Sequence, residues 1–353
     1  MSARLARDAT ARIDDASYAG TIYGRGYFGT PDSGGLSLDR YETVYLTEMA
    51  RLELVDGRER AVLWPALFRR AVRSERGFGV RYIVYRDLRQ RGYVVRRSPP
   101  PTSFAVLPRG GVLNKTPAKF WVTAYSERQP FDLAELTGLA ERAHGAKKSL
   151  LVAVVDEESD LTYYRTRRSA PVGSHPSHPL TAAAVGWLAE DRVVVFEPEA
   201  VAALGQGLAH GSKIGERLEL SILEAMHLVE TGQLTIRDAR GGRAIPPEVM
   251  RRRAERLENG FGERLAAYRA LRGRALVVKT GFKYGAHLRA YPRNPETVHA
   301  RYLVRAVPET YQAPWPEIAG AVRVAQGVRK DLLLAGVAPD ASVRFLGLER
   351  VRP

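Results

Sequence analysis

The sequence predicts an α+β fold made of two tandem repeats, each with a small N-terminal lobe of helix and antiparallel sheet and a C-terminal α/β lobe around a mixed sheet. Three observations carry this. The two halves of the chain match each other segment by segment. Within each half the apolar spacing passes from helical to strand-like and back. A length of 353 residues, 45% hydrophobic and 26% charged, suffices for two units with cores of their own.

The repeat is the strongest of the three, because self-similarity at a fixed spacing reflects architecture rather than local propensity. GGLSLDRYETVYLTEMARLEL (34–54) is matched by GERLELSILEAMHLVETGQLTI (215–236), each read as a glycine-led amphipathic helix followed by an apolar turn. YRDLRQRGYVVRRS, from Tyr85, is matched by YRALRGRALVVKT, from Tyr268. ELTGLAERAHGAKKSLLVAVV, from Glu135, is matched by EIAGAVRVAQGVRKDLLLAGV, from Glu317, which sets Lys148 opposite Lys330 at nearly the same offset.

Residues 81–92 read as a helix running into a strand at 93–95, and residues 119–124 and 301–306 read as strands. Residues 150–155 and 332–337 are buried-strand runs that follow helices of 3.6-residue period. Between the copies, SAPVGSHPSHPL (169–180) has the Pro, Ser and Gly of a linker. The expected boundaries are 1–80 and 81–168 for the lobes of the first repeat, and 181–262 and 263–353 for those of the second.

Charge narrows the partners. Lys and Arg number 54 against 39 Asp and Glu, a formal net charge of +15, and they are spread along the whole chain. Such a field attracts polyanions, nucleic acid first among them. A proteome with a general basic bias would give the same count. The absence of cysteine excludes disulfides, zinc–thiolate sites and thiol catalysis. No apolar run approaches the roughly 18 residues of a membrane span, and the start, MSAR, has no apolar signal core. A soluble cytoplasmic protein without a membrane partner is expected.

The second copy carries VVKTGFKYGAHLRAYPRNPETVHARYLVRAVPE (277–309) and AVRVAQGVRKDLLLAGV (321–337). These blocks resemble the archaeal tRNA-splicing endonucleases in the K-x-G-x-x-Y/F-G-x-x-x-R-x-Y run, the H-x-x-Y-L-V strand and the V-R-K helix. The resemblance extends over essentially the whole chain and is stronger in the second copy. It implies nuclease-like C-terminal lobes and an active site of Tyr, His and Lys, which falls on Tyr291, His299 and Lys330. It also implies a precursor tRNA substrate cut at bulged exon–intron junctions, with no metal and no cofactor.

The same three residues suit the chemistry without the resemblance. Cleaving RNA through its own 2′-hydroxyl needs a base for that proton, an acid for the leaving 5′-oxygen and a cation for the charge on the phosphorane. Histidine, with a pKa of about 6.5, can hold or release a proton near neutrality, and lysine is a point charge for phosphate oxygens. Tyrosine, with a pKa of about 10, needs neighbouring cations to lower that value before it acts as a base, so positioning is its other role. Taken singly, a His at a strand start is commonly structural, a Tyr in a strand packs, and a Lys at a helix end offsets the dipole.

The first copy is an internal control. It has Leu107 opposite Tyr291 and Pro117 opposite His299, and keeps only Lys148. Neither leucine nor proline can move a proton, so that copy is expected to be catalytically dead. Arg323 of the second copy faces Glu141 of the first. The resemblance implies that Arg323 and a second residue, assigned to Arg344, sandwich an unpaired bulge base, as guanidinium planes do in RNA recognition. It further implies that the acidic loop Asp156, Glu157, Glu158 and Asp160 inserts into a basic groove of a second chain, giving a homodimer of four repeat units; an ordinary polar turn is the other reading of that loop. A metal-dependent nuclease would need clustered carboxylates, and from Tyr291 to Lys330 the acids are Glu296, Glu309 and Glu317 alone. An RNA-binding structural subunit of a splicing complex is the remaining alternative.

Overall fold

The computed structural model describes residues 2–176 and 180–353. They form two compact units, one of residues up to 129 with 145–164 and 353, the other of residues 130–144 and 165–352. No helix among the described residues is long and apolar enough to cross a membrane.

Each unit opens with the same small lobe. In the first, a five-stranded sheet runs in the order Thr30–Asp32, Gly35–Leu38, Ala11–Ile13, Ser2–Leu5, Glu53–Val55, with only the last pair parallel. In the second, the order is Ser212–Ile214, Arg217–Ser221, Arg192–Val195, Ala184–Ala189, Leu234–Asp238, again with the last pair parallel. A helix joins the parallel pair through the return strand, α1 (Arg40–Glu48) in the first unit and α4 (Ile222–Glu230) in the second.

These helices begin later than the glycine-led helices expected from sequence. Gly34 and Gly215, at φ of 85° and 59°, close tight hairpin turns, which glycine enters without a Cβ clash. The alternating residues that follow form strands Gly35–Leu38 and Arg217–Ser221 instead. Helix starts only where Asp39 and Ser221 build capping boxes with Glu42 and Glu224.

The C-terminal lobe of the first unit has α2 (Phe78–Gln90) and strands β1 (Val95–Arg97), β2 (Phe104–Val106), β3 (Phe120–Ser126), β4 (Ser149–Val155) and the start of β5 (Leu161–Ser169). The expected helix starts three residues earlier than read, and its following strand starts at Val95 rather than Tyr93. Helix α3 (Leu133–Gly145) connects β3 to β4 but packs with the second unit. There Phe131 meets Trp315 edge-on at 5.4 Å and the strand Phe131–Asp132 pairs with Gln312–Ala313.

In the second unit α5 (Phe261–Arg272) precedes strands β6 (Val277–Thr280), β7 (Leu288–Tyr291) and β8 (Tyr302–Pro308); α6 (Trp315–Gly327) then crosses to β9 (Asp331–Val337), and β10 (Val343–Val351) returns. The order is β6-β7-β8-β9-β10, all antiparallel except β8 with β9, the pair that α6 bridges. Leu265, Tyr268 and Leu271 of α5 share one core with Ala225 and Leu228 of α4 and with Val278, Leu288, Val304 and Leu333 of the sheet.

A buried carboxylate ties the lobes together. Glu224 accepts hydrogen bonds from the Gly211 amide at 2.8 Å and the Ser221 amide at 3.1 Å, and pairs with Lys279 of β6 at 3.4 Å. Lys279 in turn donates to the Gly211 carbonyl at 2.6 Å. The first unit repeats this with Glu42, Gly29, Asp39 and Arg96 at 2.9–3.0 Å. Removing one partner of a buried pair strands the other charge. Glu224→Ala should therefore lower unfolding stability by about 3 kcal/mol or more in urea titration at pH 7, and a loss below about 1 kcal/mol would rule out this tie as a main support.

Candidate active site

Strand register brings the three sequence-selected residues of the second repeat to one end of the sheet. Ala290 pairs with Tyr302 and Tyr302 with Asp331, so Tyr291 at the end of β7, Arg301 before β8 and Lys330 before β9 stand level on three neighbouring strands. The Arg301 amide donates to the Ala290 carbonyl at 3.0 Å, and the Asp331 amide to the Arg301 carbonyl at 2.9 Å. His299 lies two residues before Arg301, exposed, in the loop rather than in the strand.

That loop has its own order. Asn294 accepts from the amides of Thr297 and Val298 through its carbonyl, at 3.1 and 3.3 Å, and from the Glu296 amide through its side chain at 3.0 Å. The turn leads to Ala300, which packs with Tyr291, Val277 and Ala209. Lys330 is half-buried and lies beyond α6, not on it. Arg329, at φ of 56°, turns the chain from helix to strand, and Lys147 takes the same φ of 56° before Lys148. The Lys330 ammonium stands 5.6 Å over the ring of Tyr284 and donates to the Val328 carbonyl at 3.3 Å.

Tyr291 is buried, and burial pushes its hydroxyl above the ordinary tyrosine range. Arg289, 5.6 Å from the ring, pulls the other way and loses, while Tyr284 adds to the rise. The lowering that a base role requires is thus not present in the free chain, because a strand-end tyrosine covered by Val277 and Ala300 loses more to desolvation than one guanidinium returns.

The first unit repeats this hydrogen-bond register with other side chains. The Leu107 amide donates to the Val94 carbonyl at 3.0 Å, at the position where Tyr291 pairs with Val277. The Ser149 amide donates to the Lys119 carbonyl at 3.0 Å, as Asp331 does to Arg301. Pro117, two residues before Lys119, therefore stands at the position of His299.

Arg323 projects from the exposed face of α6. Arg344 does not join it. It pairs with Gly336 in the register, at the far end of β9 from Lys330, roughly 20 Å along the strand. There it meets Glu309 at 2.8 Å and Glu141 at 3.9 Å. The arginine level with Lys330 is Arg350, since Leu332 pairs with Leu348. Its carbonyl accepts from Gln326, one turn along α6 from Arg323, at 2.9 Å. Sequence reading missed Arg350; the signal for it is the turn at residues 338–342, which fixes the register of the last hairpin.

Two of the three acids between Tyr291 and Lys330 are engaged elsewhere, Glu309 with Arg344 and Glu317 with Arg305 at 2.7 Å. Among the described residues no group of three or more His, Asp and Glu is arranged to hold a metal ion. The acidic loop is an exposed turn between β4 and β5. Asp156 accepts from the amides of Glu158 and Asp160 at 3.0 and 2.8 Å, and Glu157 pairs with Arg128 at 2.7 Å.

The tRNA-splicing endonuclease of Methanosarcina mazei is 37% identical to this chain over 94% of each, and that of Methanosarcina acetivorans 38% over the same shares. The chain belongs to the tRNA-splicing endonuclease family. Its C-terminal lobes match the family model for the tRNA intron endonuclease catalytic C-terminal domain twice, at residues 78–163 and 261–345. Its N-terminal lobes match the N-terminal domain of the same family at 1–63 and 184–251. The tRNA-splicing endonuclease of Halobacterium salinarum is 33% identical over 98% of this chain and 96% of its own.

In this family member the segment expected to be a linker supports the Tyr291 strand. Ser177 to Pro179 lie outside the described residues, but Gly173 and His175 donate to the carbonyls of Arg274 and Ala275 at 2.9 Å each, and Ser174 donates to Pro292 at 2.8 Å. A Cβ on Gly173 would come within 2.2 Å of the Ala275 oxygen and 2.8 Å of the Pro292 oxygen. Gly173→Ala should therefore displace the residue that follows Tyr291, lowering the melting temperature by several degrees and slowing RNA cleavage about tenfold. An unchanged rate would show that this contact does not position the tyrosine.

Proposed function

We propose that the chain is a tRNA-intron splicing endonuclease that cuts precursor tRNA at bulged exon–intron junctions without a metal, leaving 2′,3′-cyclic phosphate and 5′-hydroxyl ends. The single observation behind this reading is that Tyr291 at the end of β7 and Lys330 before β9 stand level across β8, with His299 in the loop that enters β8, in one repeat only. The family resemblance of the whole chain supplies the substrate class.

In this reading the 2′-oxygen attacks phosphorus as its proton leaves, the bond to the 5′-oxygen breaks, and His299 protonates that oxygen. Lys330 holds charge on the non-bridging oxygens, a role that needs a fixed cation rather than a proton carrier. Burial favours the neutral hydroxyl of Tyr291 in the free chain, where it orients the 2′-hydroxyl; with substrate and the Lys330 ammonium alongside it first releases its own proton to solvent, and the phenolate then takes the 2′-proton. Arg323, with Arg350 in place of the distant Arg344, is the pair suited to grip an unpaired base.

The test is incubation of the purified chain with an intron-containing precursor tRNA in excess EDTA. Cleavage should persist, with the ends named above. His299→Ala and Lys330→Ala should each cut at least about 100-fold more slowly while binding RNA as before, and Lys148→Ala should cut normally. Loss of cutting in Lys148→Ala would undo the reading of the first repeat as dead.

The resemblance also supports a homodimer in which the loop around Asp156 to Asp160 docks on a basic groove of the second chain. Glu157→Lys with Glu158→Lys should then shift the mass measured by light scattering from dimer to monomer; an unshifted mass would remove the loop from the interface.

A further inference from the structure

A second cluster of titratable groups lies between the N- and C-terminal lobes of the second repeat. His175, His210 and His227 line a cavity of about 210 Å³ with Arg269 and Arg272, and no carboxylate lines it. His210 is 2% exposed; its Nδ1 is 3.0 Å from the Tyr268 hydroxyl and its Nε2 3.1 Å from Arg272. Arg272 also donates to the Leu208 carbonyl at 2.8 Å. Among the described residues, three buried nitrogens here have no hydrogen-bond partner: Nε2 of His175, Nδ1 of His227 and Nη1 of Arg272.

The first repeat shows what this cluster is without the histidines. Arg89 and Tyr85 stand where Arg272 and Tyr268 stand, and Arg89 donates to the Gly26 carbonyl at 2.8 Å as Arg272 does to Leu208. Phe28 and Tyr45 occupy the positions of His210 and His227. Phe28 and Tyr45 stack at 5.9 Å with Arg89 lying 3.7 Å over Phe28, whereas His210 and His227 stand 5.9 Å apart. The ring spacing is the same in both repeats, with tilts of 23° and 36°, so spacing alone does not account for the imidazoles. They add polar nitrogens beside an arginine, and buried polar atoms left without partners are rare in folded proteins.

We propose that this cavity binds an oxyanion of the phosphate class, held by Arg272 and by the ring nitrogens of His175 and His227. An anion supplies the acceptors that the unpartnered nitrogens lack, and among the described residues no group of three or more His, Asp and Glu is arranged to hold a metal ion. Burial and Arg272 hold the three imidazoles below the ordinary histidine range, His227 down to about 4, with Arg269, Lys279 and the other imidazoles acting in the same direction. Glu224, beside His227, and the Gly207 and Leu208 carbonyls, beside His175, act the other way. Glu230 is tied to Arg269 and Arg251. Bound anion favours the protonated rings, so affinity should rise as pH falls.

The test is calorimetric titration of the whole chain with inorganic phosphate in one arm and a 5′-phosphorylated dinucleotide in the other. His210→Phe with His227→Tyr installs the residues of the first repeat, which that repeat shows to pack. This variant, and separately His175→Gln, should bind about tenfold more weakly than wild type. Sulfate, which does not titrate in this range, should bind wild type more tightly at pH 6 than at pH 8. Binding in the phosphate arm assigns a free anion, and binding only in the dinucleotide arm assigns a phosphate of RNA. Equal affinity in wild type and both variants, or no binding by wild type in either arm, overturns the proposal.

Discussion

A buried glutamate at the third position of a helix governs how each repeat is put together. Glu224 closes the capping box that starts α4, holds the Gly211 amide and pairs with a cation on the first strand of the neighbouring sheet. The desolvation cost of such a group is met only when every partner is in place. The residue thus makes the start of α4, the turn at Gly211 and the position of β6 conditional on one another. Because Lys279 is opposite Arg289, two residues before Tyr291, the same contact sets the strand that bears the candidate tyrosine. Glu42 and Arg96 do this in the first repeat, where no proton-moving side chain follows.

From that frame the site is a matter of register. Three strands stand level, which brings Tyr291, Arg301 and Lys330 to one end of the sheet. Two repeats with the same strand register can therefore carry different side chains at the same places, Leu107 where the second has Tyr291 and Pro117 where it has His299.

Much of this was legible in the sequence, and for physical reasons. Self-similarity revealed the repeats, and the strands at 150–155 and 332–337 are apolar runs that the structure places within a residue, at Ser149–Val155 and Asp331–Val337. Cap chemistry is legible too: Asp39 and Ser221, not Gly34 and Gly215, mark where helix begins. Other features depend on tertiary contacts that no local pattern encodes. Arg344 stands at the far end of β9 from Lys330, because the turn at 338–342 sets a register that brings Arg350 to the level of Lys330 instead. The rise in the Tyr291 pKa comes from the cover that Val277 and Ala300 provide. The histidines at 175, 210 and 227 lie too far apart in sequence to read as a cluster, and only the paired positions in the first repeat hint at them.

The most direct measurement of the central claim is a crystal structure of the His299→Ala chain with an uncleaved bulged RNA. The account places the scissile phosphate within hydrogen-bond reach of Lys330 Nζ and the adjacent 2′-hydroxyl within reach of the Tyr291 hydroxyl. A scissile phosphate seated at Lys148, or on any surface away from the ends of β7 and β9, would contradict it.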